Sequence, residues 1–171
     1  MSKQPKRKNN VRVKIDKTDK RILKILQENS KLTNLELSRL IGLSPAPTLE
    51  RVKKLERADV IASYHANLNP KSIGLNVETF ILVDLAWQKP NALEKFSNQI
   101  KEIDEVIEAY IITGEADMML KVVCSNMAAY EELMFKKLSQ IKEIERLKTL
   151  IALSKIKDSK VLPYDYGDKK K

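Results

Sequence analysis

The sequence predicts an α+β protein in two parts, an N-terminal helix-turn-helix (winged-helix-like) domain and a C-terminal ferredoxin-like βαββαβ domain. Three observations carry that prediction. Two short helices with recognisable caps meet at a glycine turn within residues 33–57. Beyond Pro70 the apolar pattern changes from helical spacing to strands alternating with two amphipathic helices. The excess positive charge is confined to one side of that change: residues 1–70 hold 16 Lys and Arg against 7 Asp and Glu, while residues 71–171 hold 16 of each.

Residues 1–14 are polar, basic and aperiodic, as in a flexible arm. The helix-turn-helix domain is assigned to residues 15–60. Asp16 can cap a first helix with Asp19 in its first turn, and Ile22, Leu23, Ile25 and Leu26 form its apolar stripe. Asn29 and Ser30 end it. Thr33 and Glu36 have the spacing of a capping box that opens a second helix. Leu37, Leu40 and Ile41 are expected to face inward, Gly42 to end the helix in the left-handed conformation, and Leu43 to be buried in the turn. Ser44 and Pro45 then open a third helix, to about Arg57, on an inward stripe of Leu49, Val52 and Leu55.

Residues 61–75 read as an extended linker strand that closes at Asn69-Pro70. A ferredoxin-like domain follows over residues 76–156: a strand at 77–86, a helix at 90–102 with Leu93, Phe96 and Ile100 inward, and strands at 106–112 and 118–124. A helix at 126–139 uses Met127, Tyr130, Leu133, Met134 and Leu138 as its stripe, and a last strand covers 146–154. Residues 157–171 form a C-terminal tail. In the first strand Phe80 and Leu82 point one way, and Ile81, Val83 and Leu85 the other. Both sheet faces are therefore partly apolar while the helices cover one, so a second copy of the sheet is the simplest partner for the other.

Charge and composition narrow the function classes. A module with all the net charge of +9 has the electrostatic footprint of a polyanion binder. Of the two polyanions, membrane lipid is disfavoured, because the apolar stripes of the three helices are consumed against one another. No run approaches the roughly 18 apolar residues of a membrane span, and the basic N-terminus has no apolar stretch behind it, so a secretory signal is not expected. One cysteine, Cys124, excludes an internal disulfide and a thiolate metal cluster; the expected setting is the cytoplasm, in association with the nucleoid. An enzyme is not expected. His65 stands alone, the four glycines form no phosphate loop, and Glu115 with Asp117 in one turn reads as a solvated pair. No metal or cofactor is called for.

The third helix is the candidate DNA-contacting element. With Leu49, Val52 and Leu55 inward, its outward arc contains Ala46, Pro47, Glu50, Arg51, Lys54 and Arg57. Arg51, Lys54 and Arg57 can reach base edges or phosphates, and Glu50 can accept from a cytosine amine. Ser44, Thr48 and the helix N-terminal amides suit a phosphate. Pro45 and Lys53 complete the candidate DNA-binding set.

The run from Asn34 to Arg57, NLELSRLIGLSPAPTLERVKKLER, closely resembles the signature of the Lrp/AsnC (leucine-responsive regulatory protein, feast/famine) transcription regulators. Ile15 to Asp19, Ile61 to Pro70 and the turn Thr113-Gly114-Glu115-Ala116-Asp117 look like the same family, so the likeness spans about residues 15–155. The resemblance implies a sequence-specific regulator of double-stranded DNA. It implies dimers paired through the C-terminal sheets and assembled into tetramers or octamers, with an amino acid bound between dimers. On that resemblance the effector residues are Thr113, Gly114, Glu115 and Asp117 of the turn, with Leu150, Ile151 and Ala152 of the last strand in the same region. The alternative is a nucleoid-architectural protein that wraps DNA with little sequence preference and no ligand, favoured by the lysine-rich stretches at 3–8 and 169–171.

Overall fold

The computed structural model describes residues 13–164. The lysine-rich stretches at 3–8 and 169–171, and with them most of the basic arm, lie outside the described residues. The described chain forms two compact units, residues 13–66 together with 157–164, and Asn67–Ile156.

The first unit follows from its helix caps. In α1 (Lys17–Glu28) the Asp16 carboxylate accepts from Asp19 N–H at 2.8 Å, and the Asp19 carboxylate accepts from Asp16 N–H at 3.3 Å. In α2 (Asn34–Ile41) Thr33 and Glu36 exchange the corresponding pair, at 3.2 and 2.7 Å. Each exchange satisfies two amide donors that the helix leaves open. Gly42 ends α2 at φ +77°, its N–H donating to Ser38 O at 3.0 Å. After this turn α3 (Pro45–Arg57) begins, with Pro45 at its first position. Ile22, Leu23, Leu37, Ile41 and Leu55 form the buried core, with Ile25, Leu26 and Val52 packed against it.

Three leucines expected inside, Leu40, Leu43 and Leu49, are exposed. Ser38 and Thr48 are buried in their stead, each hydroxyl donating to a carbonyl of its own helix (Leu35 O at 2.8 Å, Ser44 O at 2.9 Å). A hydroxyl satisfied in this way can be buried without penalty, and small side chains let the helices approach closely. Both helices are therefore rotated from the orientation that maximal leucine burial predicts. The linker strand expected at 61–75 is absent: no β-ladder includes these residues, 62–69 lack regular secondary structure, and Pro70–Ile73 form one 3-10 turn. A strand needs a neighbouring edge, and these backbone groups pair with none among the described residues. Tyr64 is fixed by its hydroxyl, which donates to Glu56 at 2.9 Å; burial first and this bond second push its pKa up to about 12. From the C-terminal stretch, Leu162 N–H donates to Gln27 of α1 at 2.7 Å, and the Lys20 ammonium lies 5.4 Å from the Tyr164 ring centroid.

The second unit has the βαββαβ order: β1 (Val77–Leu85), α4 (Ala92–Ile100), β2 (Val106–Ile111), β3 (Met118–Cys124), α5 (Met127–Glu132) and β4 (Ile144–Ile151). Its antiparallel sheet has the spatial order β2-β3-β1-β4. Ile81, Val83, Leu85, Leu120 and Val122 meet Phe96, Ile100, Tyr130, Leu133 and Leu138 in the core. The helix expected over 126–139 is not continuous. After α5 the backbone passes through a π turn (Leu133–Lys137) and a 3-10 turn (Leu138–Gln140). The wider π turn brings Leu133 and Leu138, five residues apart, to the same buried side. Met127, expected inward, is exposed. The sheet face away from the helices carries Phe80, Leu82, Met119 and Leu150 between the ion pairs Lys121–Glu108 (3.1 Å), Arg146–Asp84 (2.6 Å) and Lys155–Glu78 (3.2 Å). Among the described residues no helix is long and apolar enough to cross a membrane.

Candidate nucleic-acid interface and effector region

The DNA-binding candidates divide into two sets on α3. Arg51 donates to Asp16 at 2.6 Å and to Asp19 at 2.8 Å, and Lys54 donates to Asp19 at 2.6 Å and to Lys14 O at 3.1 Å. Asp19 has no exposed surface. Burial raises its carboxyl, but the hydrogen bonds from Lys54 and Arg51 outweigh burial, so its pKa lies below the ordinary carboxylate value. Asp16 is lowered as well, first by the Asp19 amide and then by Arg51. Arg51 and Lys54, expected on the outward arc, thus clamp α3 to the start of α1. Thr48 is buried too.

The remaining candidates face solvent. Ala46, Glu50, Lys53 and Arg57 follow one another at spacings of four, three and four residues, which aligns them along one face of a helix. Glu50 is central, its side chain 65% exposed, with Lys53 at 3.8 Å and Arg57 at 3.9 Å. Leu49 lies on the flank, 40% exposed. The phosphate site expected at the N-terminus of α3 is reduced. Pro45 and Pro47 have no N–H, Thr48 N–H donates to Ser44 O at 3.3 Å, and the Ser44 side chain makes no cap bond. Of the first four helical residues, Ala46 is left with a free amide direction. Asn34 fixes this end through its amide, which donates to Pro45 O at 2.8 Å.

In the effector region the turn residues Thr113, Gly114 and Glu115 are exposed, with Gly114 at φ +122°. Asp117 holds the hairpin to β1: its carboxylate accepts from Leu85 N–H at 2.8 Å, its N–H donates to Val83 O at 3.1 Å, and its carbonyl accepts from Ile112 N–H at 3.0 Å. Leu150, Ile151 and Ala152 do not join this region within one chain. Leu150 pairs with Phe80 and Ile151 with Thr79, and Ala152 N–H donates to Glu78 O. Those partners lie five to seven residues back along β1 from Leu85, or about 17–23 Å at ~3.3 Å per residue. The β4 residues near the turn are instead Arg146, Leu147 and Lys148. With Leu82, Asp84, Glu115 and Ala116 they line an open cleft of about 630 Å³. Sequence reasoning missed Asp84, Arg146 and Lys148; Asp84 and Arg146 are cross-strand partners, a pairing that register alone reveals.

Comparison with known proteins agrees with both halves. Residues 15–62 match the model of a winged helix-turn-helix DNA-binding domain, and residues 78–162 that of the Lrp/AsnC ligand binding domain. The leucine-responsive regulatory protein of Haemophilus influenzae is 34% identical over 163 residues, covering 95% of this chain and 98% of that protein. That of Escherichia coli K12 is 32% identical over 145 residues, or 85% of this chain and 88% of the relative. Among solved structures, a transcriptional regulator from Neisseria meningitidis in complex with L-methionine superposes with a TM-score of 0.85 at 35% identity, covering 90% of this chain and 99% of that one. Escherichia coli AsnC gives 0.78 at 31% identity, covering 85% of this chain and 97% of that one. These models and relatives are those of transcription regulators, not of enzymes.

Proposed function

The chain belongs to the Lrp/AsnC family of DNA-binding transcription regulators, and on that premise we propose that it is a homo-oligomeric, sequence-specific regulator whose operator binding is modulated by an amino acid. The observation that carries the DNA half is the solvent face of α3, where Glu50, Lys53 and Arg57 project from the helix that follows the Gly42 turn, in the part of the chain that holds the excess positive charge. Its site of action is then chromosomal DNA in the cytoplasm.

Self-association rests on the second unit. A sheet face with Phe80, Leu82, Met119 and Leu150 among partly buried ion pairs is suited to stacking on a copy of itself, because charges of both signs are interspersed with the apolar patches. Pairing places two copies of α3 on one duplex, and further assembly to four or eight subunits multiplies those contacts. The amino-acid reading rests on the ligand-binding-domain match and on the methionine complex of the neighbour. The turn at Thr113, Gly114, Glu115 and Asp117 is assigned to that ligand, with Asp117 acting on the turn's geometry. Leu150, Ile151 and Ala152 contribute across a subunit boundary, since their own turn is a strand's length away.

Three measurements test this reading. Light scattering on purified protein should give a mass of at least two chains, and a monomer at micromolar concentration overturns the assembly. A thermal-shift screen of the twenty amino acids should raise the melting temperature with at least one of them. No response to any, combined with occupancy spread evenly along DNA in footprinting, replaces the regulator with an architectural DNA-wrapping protein.

A further inference from the structure

We propose that Glu50 is the base-selecting residue of this DNA interface, accepting from a cytosine N4 amine in the major groove, and that Arg51 and Lys54 are positioning residues that do not read bases. The inference rests on the DNA-binding reading of α3 and assigns separate tasks along that helix.

Arg51 and Lys54 are already engaged. Their contacts with Asp16 and Asp19 lie at 2.6–2.8 Å, and the Asp19 carboxylate they reach is fully buried. Turning either cation toward DNA strips partners from a buried carboxylate, a substantial cost. The cations flanking Glu50 differ. Lys53 and Arg57 approach it at 3.8 and 3.9 Å, beyond hydrogen-bond distance, from side chains that are 49% and 70% exposed. Such exposed pairs are weak, so both cations can exchange Glu50 for phosphate or guanine at little cost.

That exchange leaves Glu50 facing a polyanion with its cations withdrawn. An uncompensated carboxylate opposes every DNA sequence except one that offers it a donor. In the major groove the base donors are the N4 amine of cytosine and the N6 amine of adenine; guanine N7 and O6, and thymine O4, are acceptors. Adenine presents its amine beside the N7 acceptor, a pair suited to the amide of Asn or Gln, whereas cytosine presents its amine without that N7. A carboxylate therefore selects cytosine and repels the alternatives, so discrimination comes from rejecting wrong sites as much as from binding the right one.

The experiment is selection of binding sites from a randomised duplex library by the full-length protein, run in parallel for wild type, Glu50→Ala and Glu50→Gln. Thermal melting serves as the control that the fold is intact. Wild type should enrich a motif with a fixed C·G pair at one position in each half-site. Glu50→Ala should keep the rest of the motif, lose discrimination of on the order of tenfold at that single position, and bind non-specific DNA more tightly. Glu50→Gln should shift the same position toward adenine. If both variants enrich the wild-type motif with its preferences unchanged, Glu50 does not select bases and the inference is overturned while the regulator reading stands. If wild type itself enriches no motif, the sequence-specific reading fails and carries the inference with it.

Discussion

A carboxylate with no exposed surface, such as that of Asp19, is stable in a small helical unit because Arg51, Lys54 and the Asp16 amide all reach it. Its pKa is depressed in the folded state. The stabilisation is therefore present above the unfolded value, about 3.9, and is lost as the pH falls through the folded value. Asp19→Asn should cost roughly 2–3 kcal/mol at neutral pH, somewhat below a fully buried pair because both cations also reach solvent. In urea titrations at pH 7 and pH 3 the gap between variant and wild type should narrow at the lower pH; an equal gap at both argues against the ion cluster. Arg51→Ala should lower the melting temperature, since its loss leaves Asp16 and Asp19 short of a partner. Lys53→Ala and Arg57→Ala should leave melting unchanged while each reduces the salt dependence of DNA affinity by about one counterion.

At the scale of elements, the caps were legible in the sequence and the orientation of α3 was not. Asp16, Thr33, Glu36 and Gly42 act on amides within four residues of themselves, so spacing alone locates them. The face that α3 buries depends on how closely three helices approach. There the buried hydroxyl of Thr48 and the recruitment of Asp19 outweigh the hydrophobic preference of Leu49. A signal was present in the spacing of Arg51 and Leu55, which are four residues apart and so put Arg51 beside the buried stripe. The βαββαβ order was legible because it depends on periodicity, whereas the placement of Leu150–Ala152 depends on strand register, which sequence does not carry. Two substitutions test the local accounting. Gly42→Ala should cost about 1 kcal/mol although nothing crowds the new methyl, because the strain is in φ. Thr79 in β1 has a fully buried hydroxyl without a hydrogen-bond partner. Thr79→Val should raise stability by about 1 kcal/mol in denaturant titration, and a loss instead indicates that the hydroxyl is solvated from within.

For the whole molecule, charge separates the tasks: the first 70 residues carry the entire excess, and the remainder is balanced. That partition suits a basic DNA-contacting unit joined to a unit that can meet copies of itself without mutual repulsion. The first unit also draws on both ends of the described chain, with 157–164 returning to α1 through Leu162 and Tyr164. Truncation after Ile156 should speed hydrogen exchange in α1 and leave β1 and β3 protected as before; uniform exchange throughout argues that the returning stretch contributes nothing to that unit.

The same return has a consequence in time. During synthesis the segment that forms α1, α2 and α3 emerges first, yet residues 157–164 emerge only after the whole second unit has been made. The DNA-contacting unit is thus begun first and completed last. A nascent chain still on the ribosome holds an α1 without its covering strap, and the finished contact marks a chain whose ligand-binding domain has already been translated.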